Sequence, residues 1–163
     1  MLQMRSIKLL VLDIDGTMTD GKVYMGGQGE VMKAFDIKDG YAIYRLLPEH
    51  GIKPVVITGR SSKIVENRCL ELGISELHQG CLDKGEKLKE IAHNSGLNIT
   101  EDGKIQGCAY IGDDLIDLPG MLLSEIVGCP SDAVREVREI SSYICNKKGG
   151  DGAVREFVEW IIS

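Results

Sequence analysis

A chain of 163 residues, 43% of them hydrophobic, carries enough apolar material for one globular unit whose core needs no covalent staples. Its 25 acidic residues outnumber 19 basic ones and give a formal charge of −6; the basic residues gather nowhere along the sequence, which excludes a binder of nucleic-acid backbone. Five cysteines (Cys69, Cys81, Cys108, Cys129 and Cys145) are odd in number and never spaced C-x-x-C, so they read as small buried hydrophobes in a reducing compartment, not as a disulfide framework or a zinc site.

Taken in chain order, "MLQMRSIK" has no apolar targeting core, and no run approaches the roughly 20 apolar residues of a membrane helix. A cytoplasmic protein that touches no membrane is expected. "IKLLVLD" (7–13) predicts a first strand. "KVYM" and "EVMKAF" then flank the turn-forming "GGQG" and predict a β-hairpin within an insertion over 19–36, too short for a lid domain. A lone hairpin is marginally stable in water, and its Val23, Met25 and Val31 need cover. Either the hairpin folds back on its own sheet or, the reading favoured here, several copies of the chain associate through it.

Helical periodicity follows at 39–51, with Ala42, Ile43, Leu46 and Leu47 on one face, and again at 61–73, 83–96 and 152–162. Strand patterns at 53–58, 76–79, 108–112, 125–129 and 142–146 alternate with these helices. The alternation predicts an α/β fold: a doubly wound parallel sheet in three layers, forming a single domain over 1–163 that includes the hairpin. Such sheets bind ligands at the carboxyl ends of their strands.

Two acidic clusters fall at those ends. Asp13 and Asp15 close the first strand, where Gly16 permits a sharp turn. "GDDLID" follows the strand at 108–111 and supplies Asp113, Asp114 and Asp117, with Asp113 and Asp117 expected on one helical face. Five carboxylates at one edge are unfavourable without a divalent cation, and Mg²⁺ suits hard oxygen donors. A calcium loop of EF-hand type is excluded, because the twelfth position counted from Asp13 is Tyr24 where a glutamate is required. At the same edge Thr58 and the backbone amides of "TGR", including Gly59, form an anion seat, and Lys84 opens the third helix with a fixed positive charge. His50, His78 and His93 lack metal-ligand spacing and read as structural.

The ordered set D-x-D-G-T, T-G-R, Lys and G-D-D-x-x-D resembles the haloacid dehalogenase (HAD) superfamily of phosphohydrolases over nearly the whole chain, and the Rossmann-like core of that superfamily matches the predicted fold. The resemblance implies roles. Asp13 is the nucleophile that forms an aspartyl-phosphate, and Asp15 the general acid and base. Asp13, Asp113 and the backbone carbonyl of Asp15 hold Mg²⁺, while Thr58, Gly59 and Lys84 bind the phosphate. Asp114 and Asp117 orient ligands or Lys84.

The hairpin, "KDGYAIYRL", "ITGRSSKIVENRCLELGI" and "KKGGDGAVREFVE" are similar to the capless 3-deoxy-D-manno-octulosonate 8-phosphate phosphatases, homotetramers that serve lipopolysaccharide biosynthesis. The expected substrate is accordingly a phosphorylated eight-carbon sugar acid, with a nine-carbon sugar acid 9-phosphate as the alternative. Phosphatases for nine-carbon acids carry an acidic residue after T-G, where this chain has Arg60. Its guanidinium either pairs with the substrate carboxylate or joins an internal ion pair; Lys63 and Arg68 are weaker candidates for the same contact. Gly149, Gly150, Gly152 and Arg155 match the family's Gly-rich tail, which reaches a neighbour's site. The same residues also read as a helix-entry loop and a solvated arginine. Two other classes remain open: a phosphoacceptor receiver, which needs neither Asp15 nor "GDDLID", and a catalytically idle assembly domain.

Overall fold

The computed structural model describes residues 6–163, so the "MLQMR" part of the N-terminal reading lies outside the described residues. Six parallel strands form the main sheet in the order β5-β4-β1-β6-β7-β8. These are β1 (Leu9–Leu12), β4 (Lys53–Ile57), β5 (Leu77–His78), β6 (Ile105–Ile111), β7 (Ser124–Cys129) and β8 (Tyr143–Ile144). A separate antiparallel pair, β2 (Tyr24–Gly26) and β3 (Gly29–Met32), follows β1. The hairpin therefore does not fold back onto the main sheet. Its Met25 and Val31 are 63% and 62% exposed.

Each face of the sheet has its own apolar layer, because alternate side chains of a strand point to opposite sides. Leu10 and Leu12 of β1 pack with Val56, Ala109 and Ile111. Over this face lie the helical run α1 (Ile37–Tyr41), a π-helical turn Ala42–Leu46 and α2 (Leu47–Glu49), together with α3 (Lys63–Glu71) and α7 (Ala153–Ile162). Leu9 and Val11 pack on the other side with Val55, Ile57 and Tyr110, under α4 (Lys84–Asn94), α5 (Leu118–Leu123) and α6 (Arg135–Ile140). Among the described residues, no helix is long and apolar enough to cross a membrane. All five cysteines are free, and all but Cys81 are buried.

β1 sits between β4 and β6, with Leu12 opposite Val56 on one side and Ile111 on the other. Successive crossovers run to β4 and β5 on one side of β1 and then to β6 on the other. The strand order thus reverses about β1 and opens a crevice beyond its carboxyl end. By the register, the residues just past β1, β4 and β6 come together there. Parity also assigns their faces: Asp13 continues the Leu9 and Val11 side, where α4 begins.

The "GDDLID" segment differs from the helix expected of it. Leu115–Asp117 is a 3₁₀ turn before α5, with Asp114 extended at its cap and Asp113 outside any helix. Asp113 and Asp117 meet because the Asp117 carboxylate accepts the Asp113 backbone N–H at 3.0 Å, not because they share a helical face.

Candidate active site

Lys84 is the centre of the crevice. As the first residue of α4, after the capping Asp83, its side chain is fully buried. Its Nζ donates to Asp13 Oδ1 and to Asp117 Oδ1, both at 2.7 Å. Burial alone favours a neutral lysine, but the attraction of Asp13 and then Asp117 outweighs it and holds the ammonium above its ordinary pKa.

Asp117 is saturated. Its Oδ1 also accepts the Tyr110 hydroxyl at 2.9 Å, while Oδ2 accepts the backbone N–H of Asp113 at 3.0 Å and of Asp114 at 3.2 Å. With two donors on each oxygen, it has no lone pair left for a cation, and its work is to fix Lys84 and the 113–114 backbone. Asp114 turns to local structure, capping the 3₁₀ turn through Leu115 N at 2.7 Å.

Asp13 and Asp113 remain as donors. Oxygens of Asp13, Asp113 and Asp117 lie within 4.8 Å of one another. Three carboxylates facing one ammonium leave two formal negative charges, the complement of a dication. The donor set is all hard oxygen, as Mg²⁺ prefers. Gly16 (φ +90°) carries the chain across Asp113 so closely that a Cβ there would stand 1.9 Å from Asp113 Oδ2. The adjacent Thr17 hydroxyl donates to Asp113 Oδ1 at 3.3 Å.

Burial, reinforced by repulsion from Asp117 and opposed by Lys84, pushes the Asp13 carboxyl up to about 6. Burial and the charge of Asp13 push Asp113 up to about 9. Both groups bind protons more tightly in the fold than in the unfolded chain, where carboxyls titrate near pH 4. Their contribution to stability is therefore greatest in acid and is lost as the pH climbs through about 6 and then about 9. A divalent cation that displaces those protons reverses the trend. The increment in melting temperature produced by Mg²⁺ is expected to grow between pH 5 and pH 9; an increment independent of pH counts against cation binding by these two acids.

Thr58 is buried just beyond β4, its backbone N–H on His78 O at 2.9 Å and its carbonyl on Cys81 N–H at 3.0 Å. Its residue is fixed at the crevice edge on the β4 side, with Gly59 next to it. Asp15, Lys33, Glu30, Ser62 and Arg60 form a chain of contacts above this edge. Lys33 pairs with Asp15 Oδ1 and, at 3.2 Å, with Glu30 Oε2. Glu30 also accepts the Ser62 hydroxyl at 2.5 Å and the Arg60 guanidinium at 3.3 Å. Burial works to raise the Glu30 carboxyl, but the bonds from Ser62 and Lys33 and the charge of Lys33 hold it below its ordinary value. Of the two readings of Arg60, this structure contains the internal ion pair. Lys33 and Glu30 were not among the residues that the sequence points to; a basic residue in an otherwise apolar "VMKAF" run is the signal that marks Lys33.

Lys63 and Arg68 pair along α3 with Glu66 and Glu71, and Arg68 lies over Phe35. Arg155 does not join the cluster in this chain. Its Nε pairs with Glu159 at 2.6 Å and its guanidinium covers the Tyr41 ring. The glycines before it pack on the loop that follows Asp13 in the same chain: Gly150 N donates to Thr17 O at 3.2 Å, and a Cβ on Gly149 would stand 1.9 Å from Gly16 O.

No protein-family model matches the chain. It is 42% identical to the 3-deoxy-D-manno-octulosonate 8-phosphate phosphatase KdsC of Yersinia pestis over 157 residues, 96% of this chain and 80% of that protein. The crystal structure of the Moraxella catarrhalis 3-deoxy-D-manno-octulosonate 8-phosphate phosphatase, in complex with magnesium, phosphate and KDO, superposes with a TM-score of 0.89 at 38% identity, covering 98% of this chain and 87% of that one. The cobalt-bound deoxy-D-mannose-octulosonate 8-phosphate phosphatase from Haemophilus influenzae gives a TM-score of 0.89 at 31% identity, covering 98% of this chain and 89% of that one. With a HAD-type fold, an acidic crevice suited to a dication and relatives of this identity along nearly its whole length, the chain belongs to the 3-deoxy-D-manno-octulosonate 8-phosphate phosphatase family of the HAD superfamily, a family of phosphoric monoester hydrolases.

Proposed function

We propose that the chain hydrolyses 3-deoxy-D-manno-octulosonate 8-phosphate to the free sugar acid and phosphate, with Mg²⁺ as cofactor and Asp13 as nucleophile. The observation that carries this reading is the buried Lys84 bridge between Asp13 and Asp117, which turns one Asp13 oxygen inward and holds the carboxylate still at the crevice floor. Asp13, Asp113 and the Asp15 carbonyl would hold Mg²⁺, which would supply the charge that lets a carboxylate approach a phosphate. In the first step Asp13 attacks phosphorus and the ester P–O bond breaks, while Asp15 gives its proton to the departing sugar oxygen. In the second, Asp15 takes a proton from water as that oxygen attacks the aspartyl-phosphate. The P–O bond to Asp13 breaks, and phosphate leaves. Thr58, Gly59 and Lys84 hold the phosphoryl oxygens through both steps.

The exposed Met25 and Val31, with Tyr24 and Met32 beside them, support assembly of a homotetramer through the hairpin. A place in lipopolysaccharide biosynthesis and a cytoplasmic location belong to the same reading. Phosphate release with Mg²⁺ from eight- and nine-carbon 2-keto-3-deoxy acid phosphates tests it, on protein sized by sedimentation. Faster release from the eight-carbon ester by a tetramer is the expected result, with loss of activity on chelation. Preference for the nine-carbon ester overturns the substrate assignment, and a phosphoryl-protein that persists without release places the chain with receivers.

A further inference from the structure

Lys33 stands one residue beyond β3, and its side chain has no exposed surface. A buried ammonium is tolerated only where anions meet it. Here they are Asp15 Oδ1 and, at 3.2 Å, Glu30 Oε2. Glu30 is itself tied to the start of α3 by Ser62 at 2.5 Å and Arg60 at 3.3 Å. The hairpin is thus stitched at one point to the wall of the crevice, and from there Lys33 reaches the second acid of the D-x-D pair. Among the described residues nothing else bonds to the Asp15 carboxylate, whose side chain is 21% exposed. One oxygen is anchored, and the other accepts no hydrogen bond among the described residues.

A carboxylate on a short loop next to glycine rotates freely unless something holds it, and proton transfer needs its free oxygen within hydrogen-bond reach of the leaving atom. We propose that Lys33, braced by Glu30, is a positioning residue that fixes the rotamer of Asp15 for proton delivery to the leaving alcohol. The hairpin is then part of the catalytic apparatus and not solely a surface for association. This rests on the phosphatase reading above.

Leaving-group chemistry separates positioning from mere support. An alkoxide needs a proton to depart, whereas p-nitrophenolate leaves without one. Lys33→Met is expected to lower kcat on the sugar-acid phosphate by about 10²-fold, within the range for general acid catalysis, with KM nearly unchanged and with little loss on p-nitrophenyl phosphate. Lys33→Arg is expected to restore part of the activity, and Glu30→Gln to give a weaker form of the same selective loss. On an Asp15→Asn background, Lys33→Met is expected to cost nothing further. Equal losses on both esters, or losses that add to that of Asp15→Asn, overturn the proposal and leave Lys33 a structural residue. Wild-type protein that cleaves neither ester overturns the phosphatase reading itself, a distinct outcome.

Discussion

Asp13→Asn is expected to abolish phosphate release, by a factor on the order of 10⁴ or more, without unfolding the protein. An amide has the shape of the carboxylate but cannot attack phosphorus. Its oxygen still accepts from Lys84, so the bridge seen at 2.7 Å survives. What disappears is a charge that burial and Asp117 oppose, strongly enough to push its titration up to about 6. In metal-free buffer above that pH the variant is therefore expected to melt no lower than the parent, while its response to Mg²⁺ falls. Phosphate-release assays and thermal melts with and without Mg²⁺ check both halves. Activity within tenfold of wild type removes Asp13 as nucleophile, and a large loss of stability shows that the anion itself holds the crevice together.

Lys84→Met has the largest expected cost in stability. The side chain fits the same stem volume but leaves Asp13 and Asp117 facing each other without a cation, and stranding a buried ion costs about 3–5 kcal/mol. Urea unfolding at neutral pH measures it. The deficit is expected to shrink in acid, where protonation of Asp13 removes one of the buried charges. Asp117 cannot turn to water for relief, since its three remaining donors hold it in place. A loss below about 1 kcal/mol, the range of exposed pairs, is the result that contradicts the buried bridge.

The legible part of this site is the part written at strand ends. Asp13, Thr58 and Asp113 could be placed because period-two strands bring the residues just past them to one edge. Lys84 followed because it opens the third predicted helix at the same edge. Asp117 was found for its spacing from Asp113, but its actual place depends on a 3₁₀ turn that periodicity does not distinguish from an α-helix. Partners distant in sequence stayed hidden. Glu30 meets Arg60 across 30 positions and Lys33 meets Asp15 across 18, contacts set by how the hairpin leans on the sheet and by no local pattern. The hairpin itself was legible, though its strands end sooner than "EVMKAF" suggests, at Met32, which frees Lys33 to turn inward. The π-helical turn at Ala42–Leu46 was likewise invisible in a sequence whose apolar spacing reads as ordinary helix.

The contact of Gly149 and Gly150 with the Gly16–Asp20 loop joins segments some 130 residues apart beside Asp13 and Asp15. During synthesis, β1 and both acids of its loop emerge well before the wall against which that loop rests, which follows some 130 residues later. A nascent chain halted anywhere before then holds Asp13 on an unsupported turn. The proposed hydrolysis is thus expected only of a chain that extends past Gly150.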